Sequence, residues 1–172
     1  MRFLMVPDRL FDRYDEVTPS FLREQGIRLL LCDLDFTLAP KSVPEPDEAI
    51  FRWIDGMKAA GIEVMILSNN RRSARVERFC SQLDITYVGH AGKPAKRGFV
   101  EAMAKASVSK QEAAMLGDKL LTDVLGAQWS GVTALMVEPM GGAVTPWQKV
   151  LHALQAPFKA ICRRKSMYFS AK

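Results

Sequence analysis

Two aspartates, Asp33 and Asp35, stand at the end of an apolar run that begins at Ile27. A short apolar run bounded by turn signals is typical of a buried strand. A carboxylate so close to a hydrophobic core is costly to bury unless it has a partner or a metal ion, and such a placement usually marks a functional site. One carboxylate could act as a nucleophile and metal ligand, and the other as an acid and base.

Further polar residues occur at comparable places, where apolar runs end or predicted helices begin: Ser68, Asn69, Lys93, Asp118 and Asp123. Each of these signals, taken alone, has an ordinary structural interpretation. The short polar segments could be helix or turn caps, and Lys93 could be a solvated loop lysine with Lys96 as a plausible competitor. Their order along the chain and their common placement favour one shared site.

Predicted strands and helices alternate along the chain. The apolar patterns predict strands at 27–34, 62–67, 85–88, 113–116 and 132–137, and helices at 19–25, 47–60, 71–83, 97–106, 119–129 and 145–155, the last opening with a capping box at Thr145-Pro146-Trp147-Gln148. This alternation predicts an α/β fold, a three-layer Rossmann-like parallel sheet with helices on both faces. Asp33, Ser68 and Asp118 then lie at the carboxyl ends of three strands, on the edge where such sheets bind ligands.

Composition and charge predict one domain with a basic end. The chain has 172 residues, of which 48% are hydrophobic and 25% charged, as is typical of a soluble globular protein. We predict a single domain at 1–156 and a basic C-terminal tail at 157–172. The net charge is +5, and the tail supplies all of it through five cations and no acid: Lys159, Arg163, Arg164, Lys165 and Lys172. Because the net positive charge is confined to the tail, the sequence argues against specific nucleic-acid recognition by a groove of the folded domain.

The cysteines and the first residues favour a cytoplasmic protein. Asp8 and Arg9 interrupt the segment in which a signal peptide needs an unbroken apolar core. No stretch approaches the length of a membrane span. Cys32, Cys80 and Cys162 have neither metal-ligand spacing nor a paired framework, so we expect reduced thiols.

Four segments resemble the four motifs of the haloacid dehalogenase superfamily of phosphotransferases. They are Asp33-Leu34-Asp35-Phe36-Thr37, Ile66-Leu67-Ser68-Asn69-Asn70, Gly92-Lys93-Pro94 and Gly117-Asp118-Lys119-Leu120-Leu121-Thr122-Asp123. The resemblance covers about residues 18–140. With the Thr18-Pro19 helix start, these segments are more closely similar to the YqeG family of subclass IIIA phosphatases.

The resemblance implies phosphomonoester hydrolysis through an aspartyl-phosphate. Asp33 would attack phosphorus and carry the phosphoryl group. Asp35 would protonate the leaving oxygen and then activate the water that hydrolyses the intermediate. The Thr37 hydroxyl would help to hold the loop and Asp35.

The same resemblance implies a phosphate-binding group and a metal site. Ser68, with Asn69 beside it, would bind a phosphate oxygen at a helix N-terminus, and Lys93 would bring a positive charge to the same oxygens. A hard cation, Mg²⁺, would be held by Asp33, Asp118 and the main-chain carbonyl of Asp35. Asp123 would orient metal waters or Lys93. These four aspartates together form the predicted metal site.

The spacing between the motifs leaves no room for a lid. From Thr37 to Ser68 there is space for one loop, one helix and one strand, and from Ser68 to Lys93 for one helix and a short strand. We therefore predict an open site with no cap domain. Phe36 stands where the family often has asparagine, and it could either pack under the loop or lie at the site mouth.

Several substrates and one different kind of function stay open. Related eukaryotic proteins dephosphorylate phosphatidylglycerophosphate, and an open site beside a basic, partly apolar tail agrees with such a lipid head group. The tail could equally be a solubilising terminus. A soluble sugar or nucleotide phosphate is the alternative substrate. A phosphatase-like interaction protein, for example a partner of a nucleotide-binding protein or the ribosome, is the alternative from another class.

Overall fold

The computed structural model describes residues 4–70, 74–141 and 146–170, with side chains throughout except at 146–148 and 165–170. The strands are β1 Arg9–Phe11, β2 Leu29–Cys32, β3 Glu63–Leu67, β4 Thr86–Val88, β5 Ala113–Gly117 and β6 Thr133–Val137. The helices are α1 Pro19–Glu24, α2 Glu48–Ala59, α3 Ala74–Leu83, α4 Arg97–Ala106, α5 Leu125–Ser130 and α6 Pro146–Ser170. A π-helical turn, Leu120–Val124, leads into α5.

The six strands form one parallel sheet in the order β1-β6-β5-β2-β3-β4. Alternate residues of the central strand β2 enter two separate hydrophobic cores. Leu30 packs with residues of α2 and α3 on one face, and Leu31 packs with residues of α4 and α5 on the other. The predicted three-layer parallel α/β fold is confirmed. Its central strands read as continuous apolar runs because both faces of the sheet are covered.

No cap domain interrupts the described chain beside the sheet edge. Between β2 and β3 there is one loop and α2, and between β3 and α4 the described residues form α3, β4 and a short loop. The prediction of a core without a cap is therefore confirmed. Within the part of the chain that the structure covers, none of the helices combines the length and the apolar character needed to cross a membrane.

Strand β1 was not predicted from the sequence. Its three residues pair in parallel with β6, in the register Arg9 to Leu135. Asp8 strengthens this pairing, because its N–H donates to Ala134 O at 2.8 Å and its Oδ2 accepts from Ala134 N at 2.9 Å. A strand of three half-buried residues has no distinct apolar pattern, and its position depends on a partner far along the chain.

Helix α6 continues well beyond its predicted end near Gln155. It runs to Ser170 through Pro157, and it packs on the body of the protein. Cys162 is fully buried, and Lys159 Nζ lies 2.5 Å from Glu138 Oε2. These contacts explain why part of the predicted tail is helical. The predicted capping box that begins at Thr145 lies outside the described residues.

Candidate active site

Asp33 follows β2 at the carboxyl edge of the sheet, and its N–H donates to Leu116 O at 2.9 Å. Its carboxylate is largely buried and lies between two ammonium groups. Lys93 Nζ is 3.2 Å from Oδ1, and Lys119 Nζ donates to Oδ2 at 3.0 Å. Oδ1 also accepts from the N–H of Leu34 at 3.1 Å. The structure therefore holds this carboxylate in one orientation.

Asp118 and Asp123 approach Asp33 from the end of β5 and the π-helical turn. Carboxylate oxygens of the three aspartates lie within 4.8 Å of one another. Asp118 Oδ1 accepts from Lys119 Nζ at 2.9 Å and from the Thr37 hydroxyl at 3.3 Å. We predicted that Thr37 would help to hold the loop and Asp35, but its hydroxyl donates to Asp118, which follows β5, the strand paired with β2.

Asp123 is completely buried and holds Lys93 in place. Its Oδ1 lies 2.8 Å from Lys93 Nζ, and its Oδ2 accepts from the N–H of Lys119 at 3.1 Å. The Lys93 side chain is only 2% exposed. Of the two lysines in this loop, Lys93 contacts the aspartates, whereas Lys96 is exposed.

Gly117 lies directly against Asp123. A Cβ atom built on Gly117 would lie 2.4 Å from the side chain of Asp123. Gly117→Ala is therefore expected to lower the free energy of unfolding by about 1–3 kcal/mol, as overpacking does. Urea denaturation measures the change. Gly56→Ala in α2 is the matched control: the added Cβ would meet its nearest neighbour, Pro19, at an ordinary 3.9 Å, so this variant should be neutral or stabilising. Equal effects of the two variants would contradict the prediction.

Ser68 and Asn69 follow β3 and face the loop that carries Lys93. The Ser68 side-chain oxygen accepts from the N–H of Asn70 at 3.1 Å. The Asn69 amide donates to Lys93 O at 2.9 Å and accepts from Lys93 N at 2.7 Å. Both residues line the central cavity with Asp33 and Lys119. In the structure, Asn69 fixes the main chain of Lys93, and its contact with substrate stays a prediction.

Asp35 points away from the acidic cluster and toward α3. Its Oδ1 accepts from Arg75 Nη1 at 2.5 Å, and its Oδ2 lies 3.9 Å from Lys41 Nζ. Arg75 also donates to the carbonyl oxygens of Pro40 and Val43 at 2.9 and 2.8 Å. Arg75 therefore ties the loop after β2 to α3 and holds the Asp35 carboxylate at the cavity wall.

Burial and charge act differently on the buried groups. Burial opposes ionisation of Asp33, but Lys93 and Lys119 together hold the pKa of Asp33 below its ordinary value. Burial raises the pKa of Asp118 to about 6, although Lys119 opposes the shift. Burial likewise raises the pKa of Asp123. The site therefore favours an ionised Asp33, whereas burial disfavours ionisation of Asp118 and Asp123.

A model of the haloacid dehalogenase-like hydrolase family matches residues 15–131. The chain is also 32% identical over 143 residues to the probable phosphatase YqeG of Bacillus subtilis (strain 168), with 83% of each chain covered. The chain belongs to the haloacid dehalogenase-like hydrolase family. The resemblance seen in the four motifs is thereby confirmed.

Solved structures share this family's fold. The cobalt-bound deoxy-D-mannose-octulosonate 8-phosphate phosphatase of Haemophilus influenzae superposes with a TM-score of 0.55 at 19% identity, covering 74% of this chain and 75% of its own. The 3-deoxy-D-manno-octulosonate 8-phosphate phosphatase of Moraxella catarrhalis, solved with magnesium, phosphate and KDO, gives 0.50 at 17% identity, covering 86% and 97%. At these identities the likeness concerns the fold.

The donor set of this haloacid dehalogenase-like site fits a divalent cation. Asp33, Asp118 and Asp123 offer carboxylate oxygens within 4.8 Å of one another, and hard oxygen donors are what Mg²⁺ and similar ions bind. Burial raises the pKa of Asp118, and a bound cation would stabilise its ionised form. The Asp35 carboxylate is not part of this group, so metal binding by Asp35 through its main-chain carbonyl stays a prediction.

Lys119 and Arg75 are functional candidates that the sequence analysis missed. Lys119 directly follows Asp118. A cation next to a carboxylate at the end of a strand could have indicated that Lys119 belongs to the site. Arg75 stands on α3, 40 residues from Asp35 along the chain. Neither contact is visible before β2, β5 and α3 are brought together.

Lys119→Met is expected to tighten Mg²⁺ binding by about 10-fold or more. The ammonium group of Lys119 lies between Asp33 and Asp118. It repels an incoming cation, and like charges a few ångströms apart interact by more than the ~1.4 kcal/mol that a tenfold change requires. Isothermal titration calorimetry measures the dissociation constant. Lys105→Met, at an exposed position on α4, is the control and should leave it unchanged. Equal affinity in Lys119→Met and the unaltered protein would show that Lys119 does not compete with the ion.

Proposed function

We propose that this phosphatase of the haloacid dehalogenase superfamily hydrolyses phosphomonoesters with Mg²⁺, through an aspartyl-phosphate on Asp33. The observation that carries the proposal is the environment of the Asp33 carboxylate. It is buried, oriented by Lys93 at 3.2 Å and Lys119 at 3.0 Å, and adjacent to two further carboxylates. Such an arrangement combines an anionic nucleophile with positive charge for the phosphoryl oxygens.

In the first step, an oxygen of Asp33 attacks phosphorus, and the bond from phosphorus to the leaving oxygen breaks. Asp35 supplies the proton that the leaving alkoxide takes up. Arg75 positions Asp35 for this transfer through its contact with Oδ1. Ser68 and Lys93 stabilise the phosphoryl oxygens, and a bound Mg²⁺ would add charge stabilisation there, held by Asp33, Asp118 and the main-chain carbonyl of Asp35.

In the second step, water attacks the phosphorus atom of the aspartyl-phosphate. Asp35, now deprotonated, accepts the proton of that water, and the bond from phosphorus to Asp33 breaks to release phosphate. Asp123 keeps Lys93 oriented throughout, since its carboxylate lies 2.8 Å from the ammonium nitrogen. The chemistry is that of a two-step displacement in which Asp33 is regenerated.

Among substrates we favour phosphatidylglycerophosphate. In this proposal the enzyme is cytoplasmic and binds peripherally to the membrane surface that carries this lipid. Two features support this choice. The described residues form no cap beside the central cavity, and every charged residue after Glu138 is a cation, with exposed Lys149 and Arg164 on α6. Anionic lipid surfaces attract such segments. A soluble sugar or nucleotide phosphate is the alternative substrate.

A phosphate-release screen over soluble and lipid monoesters, with Mg²⁺ and with a chelator, tests the activity. Magnesium-dependent release from at least one ester is expected. Release that a chelator leaves intact would exclude the metal-dependent mechanism. Absence of turnover on the whole panel, together with a pull-down partner unaffected by Asp33→Asn, would instead favour the phosphatase-like interaction protein.

Charge reversal on α6 tests the membrane proposal better than truncation, because Lys159 and Cys162 are buried. Lys149→Glu/Arg164→Glu is expected to lower release from vesicles of anionic lipid containing phosphatidylglycerophosphate and to spare a soluble ester. Arg52→Glu/Lys105→Glu makes the same charge change at exposed positions on α2 and α4 and is the control. Equal losses on vesicles in both double variants would contradict a specific role for α6.

A further inference from the structure

A small groove opens beside the phosphate cavity, between the start of α6 and the loops after β2 and β6. Its apolar walls come from Phe36, Pro139 and Leu151, and the rest of the lining is polar: Asp118, Lys119, His152 and Gln155. The phosphate cavity, of about 350 Å³, shares two of these residues, Phe36 and Lys119. The two spaces are therefore adjacent, and a molecule with its phosphate in one can extend into the other.

Phe36 is held at this boundary in an unusual conformation. Its φ is +66°, in the left-handed region that a bulky residue rarely adopts. Both of its main-chain polar groups are occupied, since its N–H donates to Ala39 O at 2.9 Å and its carbonyl accepts from Met140 N at 2.8 Å. Strained residues that their surroundings hold in place concentrate at ligand-binding positions.

The size of the groove limits what it can hold. Its volume is about 60 Å³, which corresponds to about two water molecules at the roughly 30 Å³ that each occupies in the liquid. A methylene group is similar in size to a water molecule, so a segment of about two or three carbon atoms occupies comparable space. A sugar ring or a nucleoside would be too large.

Gln155 favours a ligand that carries a hydrogen-bond donor. Its side chain is largely buried, and its Oε1 has no hydrogen-bond donor among the described residues. A buried acceptor without a partner is costly. The last torsion of a glutamine side chain is soft, so the oxygen can turn toward a donor that enters the groove.

We infer that this groove binds the first carbons of the leaving alcohol, a chain of about two or three carbons with a hydroxyl that donates to Gln155. The inference rests on the proposed phosphatase activity and narrows its substrate class to esters of short hydroxylated alcohols. A glycerol unit has this chemistry, whether it belongs to a lipid head group or to a soluble glycerol phosphate.

The comparison of 2-hydroxypropyl phosphate with propyl phosphate tests the hydroxyl. The unaltered enzyme is expected to prefer the hydroxylated ester by about 10-fold in kcat/KM, because a site that hydrogen-bonds a substrate hydroxyl discriminates against its absence. Gln155→Met should bring the ratio to about one without loss of thermal stability, since it removes an unpaired buried acceptor. A ratio near one in the unaltered enzyme, or an unchanged ratio in Gln155→Met, would overturn the inference.

A second pair of variants tests the apolar wall. Leu151→Gln is expected to lower kcat/KM for propyl phosphate by about 10-fold, and Leu154→Gln, at a position on the same helix that is 62% exposed, should not. Equal effects would argue against the groove. Glucose 6-phosphate should be the poorest substrate, and vesicles carrying phosphatidylglycerophosphate separate a lipid source of the glycerol unit from a soluble one.

Calorimetric binding of the same esters separates this inference from the proposed reaction. If no ester is hydrolysed but 2-hydroxypropyl phosphate binds more tightly than propyl phosphate, and Gln155→Met removes the difference, the groove assignment stands and the phosphatase mechanism fails. If esters are hydrolysed with equal binding of the two, the mechanism stands and the groove assignment fails.

Discussion

Asp33→Asn is expected to lower the rate of phosphate release by about 10⁴-fold or more, as loss of a covalent nucleophile does in other hydrolases. The amide keeps the shape of the carboxylate but cannot form an acyl-phosphate. The fold should survive, because Lys119 keeps Asp118 as a partner at 2.9 Å and Lys93 keeps Asp123 at 2.8 Å. The measurement is steady-state release of phosphate from the best ester of the screen, with circular dichroism to check folding.

Asp55→Asn is the matched control for this variant. Asp55 is exposed on α2, on a helix that takes no part in the site, so the same chemical change there should leave the rate unaltered. A folded Asp33→Asn enzyme that retains a tenth of the activity would be incompatible with Asp33 as the nucleophile.

Lys93→Met is expected to reduce the free energy of unfolding of the metal-free protein by about 3–5 kcal/mol, as loss of one partner of a buried ion pair does. The variant removes the ammonium group that lies 2.8 Å from Asp123 Oδ1 and 3.2 Å from Asp33 Oδ1. Asp123, completely buried, then keeps only its contact with the N–H of Lys119 among the contacts described above. Urea denaturation in the presence of a chelator measures the loss.

Two further variants identify the cause of the stability loss in Lys93→Met. Lys96→Met changes an exposed lysine three residues away and should alter stability by no more than about 0.5 kcal/mol. Lys93→Met/Asp123→Asn removes both charges and should recover most of the loss, since the cost comes from the uncompensated carboxylate. If the double variant is as unstable as Lys93→Met alone, packing of the lysine stem and not charge would be the cause.

The sheet and the four motifs were predictable because their signals are local. Buried parallel strands appear as short apolar runs, and the polar residues that follow them lie at one sheet edge by the geometry of the fold. For that reason Asp33, Ser68 and Asp118 could be placed at one edge from the sequence. The strand β1 and the far half of α6 gave no such signal, because β6 and Glu138 determine their positions.

The finer geometry of the site depends on contacts between distant segments. The Thr37 hydroxyl turns to Asp118, Asn69 clamps the main chain of Lys93, and Arg75 reaches Asp35 from α3. The residue types alone do not distinguish these partners from others of the same chemistry. In the sequence, Lys119 has no feature, apart from its place after Asp118, that separates it from other loop lysines. Its two carboxylate partners become apparent only when the ends of β2 and β5 lie side by side.

The most direct test of the mechanism is detection of a phosphoryl group on Asp33. The reaction is run with Mg²⁺ and 4-nitrophenyl phosphate, whose leaving group needs no proton, in the Asp35→Asn variant, where attack by water should be slowed. After an acid quench, peptide mass spectrometry should find one added phosphoryl group on Asp33, removed by hydroxylamine. Steady turnover of this ester with no phosphoryl group on Asp33, or with one on another residue, would contradict the proposed mechanism.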